Sequence, residues 1–294
     1  MKPPVFDYVA AASIDEALRL LEEHGDGARL LAGGQSLMPA LNFRLAAPAV
    51  LIDLNTIPEL ARLEDSADGR VIAGAMTRHR MFENSPLIAR RLPLVQHAMA
   101  SVAHVAIRNR GTLGGSLCHA DPSAEWPALC LACDAEMVLQ SRRGTRHVGA
   151  DRFSLGLFTT ALEAGELLVQ IAFPAWRATR RWGFQEVARR RGDFAIAGVA
   201  CVVDIEDSGV CTNARIVVFG VADRPLLMPD AAAELTGRVP DADALRKAAL
   251  GARSAVDCRS DHHASAEYRS ELVQALTARA LTQAMNQKAS TRHG

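Results

Sequence analysis

The sequence predicts an α+β protein of more than one domain, with α/β the alternative for its first lobe, and three observations lead there. At 294 residues with 49% hydrophobic side chains, the chain is long enough for one large domain or two to three ordinary ones with real cores. Stretches of helical apolar spacing alternate with short strand-like runs through the first part of the chain. Pro174 then closes a strand-like run, and Arg177, Arg180 and Arg181 follow, which marks a boundary near residue 176.

The elements follow in order. In SIDEALRLLEEHGDG, Ser13 and Glu16 stand in capping-box register and Gly25 marks the end, with Ile14, Ala17, Leu18 and Leu21 as the apolar face of a helix. ARLLA reads as a short strand, Gly33-Gly34-Gln35-Ser36 as a loop, and LMPALNFRL as a helix that tolerates Pro39 in its first turn. AVLIDL and RVIAGAMT read as strands separated by a polar stretch around Glu64 to Gly69. A helical pattern runs from Met81 to about Met99, followed by a second glycine-bearing stretch and a helix from Ala124 to Cys133. AEMVLQ and GELLVQIAFP are strands. Beyond the boundary, GVACVVDIE and ARIVVFGVA are strands and at least two helices follow. The last spans about Ala264 to Met285, with Leu272, Val273, Leu276 and Ala280 as its buried stripe.

Composition narrows the function. Lys plus Arg and Asp plus Glu number 33 each, so no global charge favours nucleic acid or an anionic membrane. No stretch approaches the roughly 20 consecutive apolar residues that span a bilayer, and the start, MKPPVFDYVAAAS, lacks the apolar core of a signal peptide, so a cytoplasmic location is expected. The six cysteines are scattered, and the one C-x-x-C pair, Cys130 and Cys133, lies at helical spacing among apolar residues, which points to buried packing. No C-x4-C-x2-C run is present to ligate a plant-type iron–sulfur cluster. Any iron in an electron path would sit on another chain.

The feature that carries chemistry is a paired glycine that occurs twice: Gly33-Gly34-Gln35-Ser36 and Thr112-Leu113-Gly114-Gly115-Ser116. Glycines after a strand allow close backbone approach, and a following helix offers N–H groups to an anion. Two such loops brought together could hold both phosphoryl groups of a diphosphate. The G-x-G-x-x-G fingerprint and the G-x4-G-K-[ST] P-loop are both absent. That leaves flavin on another scaffold as the leading option.

AGGQSLMPALNFRLAAPAVLIDLNTIPEL, AIRNRGTLGGSLCHADPSAEWPALCLACDA and GFQEVARRRGDFAIAGVA together resemble the FAD-binding medium subunit of the molybdenum hydroxylase family, over nearly the whole chain. That family includes xanthine dehydrogenase and the aerobic carbon monoxide, nicotine and quinoline dehydrogenases. The resemblance implies a two-lobed FAD-binding domain of the vanillyl-alcohol oxidase (PCMH) type over residues 1–176, with lobes of about 1–56 and 57–176. A smaller α+β domain would fill residues 177–294. It also implies FAD in this chain, 2Fe-2S clusters on a small partner subunit, and the molybdopterin cofactor on a large one, assembled as a dimer of heterotrimers. Electrons would arrive from the clusters and leave to an external acceptor.

Residue by residue, the resemblance places Ala32, Gly33, Gly34, Gln35 and Ser36 in the first pyrophosphate loop and Thr112, Leu113, Gly114, Gly115 and Ser116 in the second. His119, Asp121 and Glu125 would line the adenosine and pyrophosphate part of FAD, a carboxylate at Glu125 suiting ribose hydroxyls. Leu168 would present its backbone to the flavin or adenine end, and Ile107 its apolar side chain to the isoalloxazine. Phe194 is a further candidate for the flavin surroundings. No residue of this chain is assigned as catalytic or as a metal ligand.

The sequence departs from relatives in three places. Gln35 stands for histidine or threonine, Ser116 for asparagine, and Glu186 for a lysine that some relatives place near the flavin pyrimidine. A carboxylate at Glu186 lacks the ammonium's ability to stabilise an anionic reduced cofactor, which leaves the acceptor open among NAD, a quinone, oxygen and a carrier protein. Two other readings compete. One is a stand-alone flavin oxidase acting on a small alcohol or amine, although Gly33 to Ser36 offers no histidine for covalent attachment. The other is a scaffold that has lost FAD. Asp261-His262-His263 reads as an exposed loop before the last helix rather than a metal site, and Arg189-Arg190-Arg191 as a solvated face or a partner or cofactor contact.

Overall fold

The computed structural model describes residues 2–287. Its first sheet is built from β1 (Asp7–Ala10), α1 (Ile14–His24), β2 (Ala28–Leu31), α2 (Leu37–Asn42) and β3 (Val50–Asp53), with strand order β1-β3-β2, all parallel. Parallel neighbours need crossovers, and α1 supplies the first. The Ser13 side chain accepts the Glu16 N–H, and Glu16 answers the Ala12 N–H, as the capping box predicts. Ala17 and Leu18 of α1 pack on Val50 and Ile52.

The next stretch comprises β4 (Leu63–Asp65), β5 (Val71–Gly74), α3 (His79–Asn84), α4 (Pro86–Arg91), α5 (Pro93–Ala98), α6 (Val105–Arg108), α7 (Leu113–His119) and α8 (Glu125–Ala132). It continues with β6 (Glu136–Ser141), β7 (Gly144–Gly149), α9 (Ala150–Phe153), β8 (Ser154–Gly156), β9 (Thr159–Thr160) and β10 (Leu167–Phe173). The sheet order is β4-β5-β10-β6-β7, antiparallel throughout. Every residue of α8 is buried. Trp126 anchors it edge-on against Phe82, centroids 4.7 Å apart.

The chain ends in β11 (Arg180–Ala188), β12 (Ala195–Ile205), β13 (Cys211–Phe219), β14 (Leu226–Leu227), α10 (Pro229–Ala233), α11 (Ala242–Ser254) and α12 (Ala266–Met285), the strands forming an antiparallel meander in chain order. β12 is buried on both faces: Ala200 and Val202 join the core around α8, while Val199, Cys201 and Val203 join the core under the last helices. Period-two alternation between two apolar cores explains why GVACVV is a continuous hydrophobic run. Gly183 lets β11 approach α12 closely, since a Cβ there would lie 3.0 Å from the Ala280 Cα. No helix among the described residues is long and apolar enough to cross a membrane.

The structure corrects several local expectations. The helical stretch from Met81 to Met99 is three short helices, because Pro86 and Pro93 each open a new one and push the residue before them out of helical dihedrals. Thr112 to Ser116 is no loop: Thr112 caps α7, and both glycines sit in its first turn. β1, β7 and β11 were not expected. β1 is four residues following two prolines, β7 is a polar, glycine-bounded stretch, and β11 begins at the Arg180 and Arg181 that the pattern reads as a boundary.

Candidate cofactor site

The two glycine segments meet. Gly33 is buried against the second segment, and a Cβ there would lie 2.8 Å from the Gly111 Cα, with the Arg110 carbonyl oxygen closer still. Gly115 faces back, its Cβ direction 3.3 Å from the Ala32 Cβ. Glycine is required at Gly33 because backbone lies against backbone there, whereas a Cβ at Gly115 would meet the Thr112 hydroxyl at 2.7 Å. Gly34 adds a left-handed φ of 72° that turns the chain into α2.

What the segments offer differs. Among the described residues, the backbone N–H groups of Gly33, Gly34, Gln35, Ser36 and Leu37 donate to no acceptor within the chain, and Ser36 makes no side-chain cap bond. Five adjacent donors and a free hydroxyl form a cradle for an anion. In the second segment the N–H groups from Leu113 to Ser116 are spent: Leu113 donates to the Thr77 carbonyl (3.0 Å), Gly114 to Ala75 (2.7 Å) and Ser116 to Thr112 (3.1 Å). Gly115 donates to the Thr112 hydroxyl at 3.0 Å. The second pair thus supplies close approach rather than free N–H donors, a correction to the symmetric reading of the sequence.

Behind this junction His79 is buried, with Nδ1 accepting the Trp126 indole N–H at 2.8 Å. Burial, then Arg108 and Arg78, push its pKa down to about 3, so it is neutral. Its ring is the floor on which Gly111 rests, 2.7 Å from a would-be Cβ. Arg108, also buried, forks onto both Glu83 carboxylate oxygens (3.0 and 3.1 Å) and holds the Val102 and Ala103 carbonyls. These contacts fix α6 and half-buried Ile107, whose carbonyl accepts the Gly111 N–H at 2.7 Å.

The third side is the segment after α7. His119 is exposed and its ring stands 5.0 Å from that of Phe158. Asp121 is half-buried and accepts the Ser123 N–H at 2.9 Å. The meander holds this segment: Gly220 N–H donates to the Pro122 carbonyl and Ala195 N–H to that of Ser123. Phe194, next to Ala195, is 60% exposed. Gly192 packs on Ala103 and His104, so the Arg189–Asp193 turn borders the α6 side. Leu168 is buried in β10 at a bulge opposite β6, in the same core as Leu113 and Leu117 of α7.

Glu125 is buried at the head of α8, and burial, with Asp121 adding to it, raises its pKa to about 7. Glu186 on β11 is raised to about 8 by burial and by Glu125, and its Oε2 is buried without a partner among the described residues. Burial and Glu125 thus favour the protonated form of Glu186, a hydrogen-bond donor, over the anion. Nothing local in the sequence signalled that burial.

Elsewhere, Asp261 accepts the His263 and Ala264 N–H groups and pairs with Arg269 at 2.8 Å, so its oxygens close a turn. Cys130 and Cys133 are buried, and burial pushes the Cys133 thiol up to about 12.

A cradle of free donors at a glycine junction fits a nucleotide diphosphate, as a protein of the dinucleotide-binding class requires. A family model described as "FAD binding domain in molybdopterin dehydrogenase" matches residues 4–176, and one described as "CO dehydrogenase flavoprotein C-terminal domain" matches residues 182–284. The chain belongs to the family of FAD-binding medium subunits of molybdenum hydroxylases. It is 39% identical to the 6-hydroxypseudooxynicotine dehydrogenase complex subunit alpha of Paenarthrobacter nicotinovorans, covering 99% of this chain and 98% of that one. It is 40% identical to the caffeine dehydrogenase subunit beta of Pseudomonas sp. (strain CBB1), covering 97% and 96%. Among solved structures, carbon monoxide dehydrogenase from Hydrogenophaga pseudoflava matches with a TM-score of 0.94 at 38% identity, covering 97% of this chain and 99% of that one.

Proposed function

We propose that this chain is the electron-transfer subunit of a heterotrimeric molybdenum hydroxylase, holding FAD between 2Fe-2S clusters of a small subunit and an external acceptor. Substrate is oxidised on a large molybdopterin subunit, and two heterotrimers pair. The observation that carries the reading is the row of unpartnered N–H donors at Gly33 to Leu37, packed against a second glycine segment.

FAD supplies the redox chemistry, accepting and releasing electrons singly or in pairs. The chain's own residues bind and orient. The N–H groups from Gly33 to Leu37, with the Ser36 hydroxyl, take the diphosphate; Ala32, Gln35, Gly114 and Gly115 shape its bed, and Thr112, Leu113 and Ser116 complete the second wall. His119, Asp121 and Glu125 line the nucleotide, Glu125 accepting or donating according to its proton. Ile107 and Phe194 bound the ring system and limit water, and Leu168 presents its backbone to the flavin or adenine end. Residues 1–56 and 57–176 act as two lobes of one FAD-binding domain, with 177–294 as the C-terminal domain, in the cytoplasm.

The test is a visible spectrum with metal analysis of the chain alone and of the complex purified with its partners. Flavin absorbance in the chain alone, with iron and molybdenum only in the complex, is expected. Bleaching of the isolated chain's flavin by substrate, without partners, would establish a stand-alone oxidase instead.

A further inference from the structure

A polar bridge crosses the junction of the two glycine segments. The Asn55 side-chain amide donates to the Ala32 carbonyl at 3.0 Å, and its oxygen accepts the Arg78 guanidinium at 2.5 Å. The other guanidinium nitrogen of Arg78 donates to the Arg110 carbonyl, the same oxygen against which Gly33 is packed. Asn55 is itself aimed by Asp53, which accepts its backbone N–H at 2.9 Å and also its side-chain amide, while Tyr8 donates to the far Asp53 oxygen at 2.5 Å. A carbonyl of the first glycine segment is thus tied, through two side chains, to the Arg110 carbonyl two residues before the second. Arg78 also pairs with Thr112 in an isolated antiparallel bridge, which sets the cap of α7.

We propose that Asn55 and Arg78 form a strut that fixes the separation of the two glycine segments and so sets the affinity for FAD, Arg78 acting through its two-pronged geometry and not as a charge on the diphosphate. The proposal rests on the reading that FAD lies in this junction. Lysine keeps the charge at position 78 but cannot bond Asn55 and Arg110 with a planar fork. A strut is broken equally by removing either member, so losses from its two ends do not add.

The experiment uses the full-length chain, stripped of FAD and titrated with it, with the melting temperature of each apoprotein measured alongside. Asn55→Ala, Arg78→Ala and Arg78→Lys are each expected to weaken FAD binding roughly tenfold, the scale of one or two hydrogen bonds. The double variant Asn55→Ala/Arg78→Ala is expected to lose about the same, with apoprotein melting close to wild type. Should Arg78→Ala not fold, Arg78→Lys and Asn55→Ala carry the test. Wild-type affinity in Arg78→Lys would make Arg78 a charge on the ligand and overturn the strut. So would additive losses near a hundredfold, unchanged affinity in all variants, or affinity losses that track lost melting temperature. A wild-type chain that binds no FAD would overturn both the strut and the reading beneath it.

Discussion

Gly33–Ser36 and Thr112–Ser116 look alike as sequence: a glycine pair, a hydroxyl residue beside it and a helix behind. In the fold they divide the work. Among the described residues the N–H groups from Gly33 to Leu37 have no acceptor, whereas those from Leu113 to Ser116 bond to Ala75, Thr77 and Thr112. One segment is built to give hydrogen bonds to something else, and the other is a brace against which the first is pressed. A glycine pair therefore has two separable uses, free donors and close approach, and only the bonding partners distinguish them.

The largest effects should come from filling the close approaches. Gly114→Ala drives a Cβ to 2.6 Å from the Ala75 Cβ and 2.7 Å from its carbonyl. It should cost about 2–3 kcal/mol, lowering the apoprotein melting temperature by roughly 3–5 °C in calorimetry. Gly33→Ala pushes the two segments apart at Arg110 and Gly111, and FAD affinity by fluorescence titration should fall about a hundredfold. Equal behaviour of the two variants in both measurements would erase the division of labour.

Smaller substitutions sharpen it. Thr112→Ala removes a cap whose hydroxyl accepts the Gly115 N–H. The apoprotein should lose about 1 kcal/mol in denaturant melts, and Thr112→Ser should recover most of it. Ser36→Ala removes a hydroxyl with no cap bond, so stability should hold while FAD binds roughly fivefold more weakly. The reverse pattern would exchange the roles of the segments.

The acids give the smallest and most diffuse effect. Glu125 and Glu186 have pKa values raised to about 7 and about 8 in the fold. The folded chain then binds more protons than the unfolded one between their ordinary range and about pH 8. Apoprotein stability from this pair is full at low pH and falls as pH rises through that window, levelling above it. Glu186→Gln should flatten the decline in melting temperature between pH 6 and 8.5, and an unchanged slope would place the titration elsewhere.

Much of this was legible in the sequence. The capping box at Ser13, the α8 helix, the continuous apolar run of β12 and the stripe of α12 all follow from local pattern, and the glycine pairs marked the junction. The proline breaks at Pro86 and Pro93 were also there to be read, since proline biases the preceding residue out of the helix. What pattern could not give is long-range pairing. Arginine-bearing β11 becomes a strand through its partner β12. The engaged N–H groups of α7 depend on Ala75 and Thr77, some 40 residues away in sequence. The bridge from Asn55 through Arg78 to Arg110, and the burial of the Glu186 oxygen, are likewise products of assembly.

The central claim is tested most directly by hydrogen–deuterium exchange of the full-length chain with and without FAD. Amides from Gly33 to Leu37 should exchange rapidly in the apoprotein and become protected when FAD is added, while those from Leu113 to Ser116 should be protected in both states. No FAD-dependent change at Gly33 to Leu37, or new protection confined to Leu113 to Ser116, would contradict it.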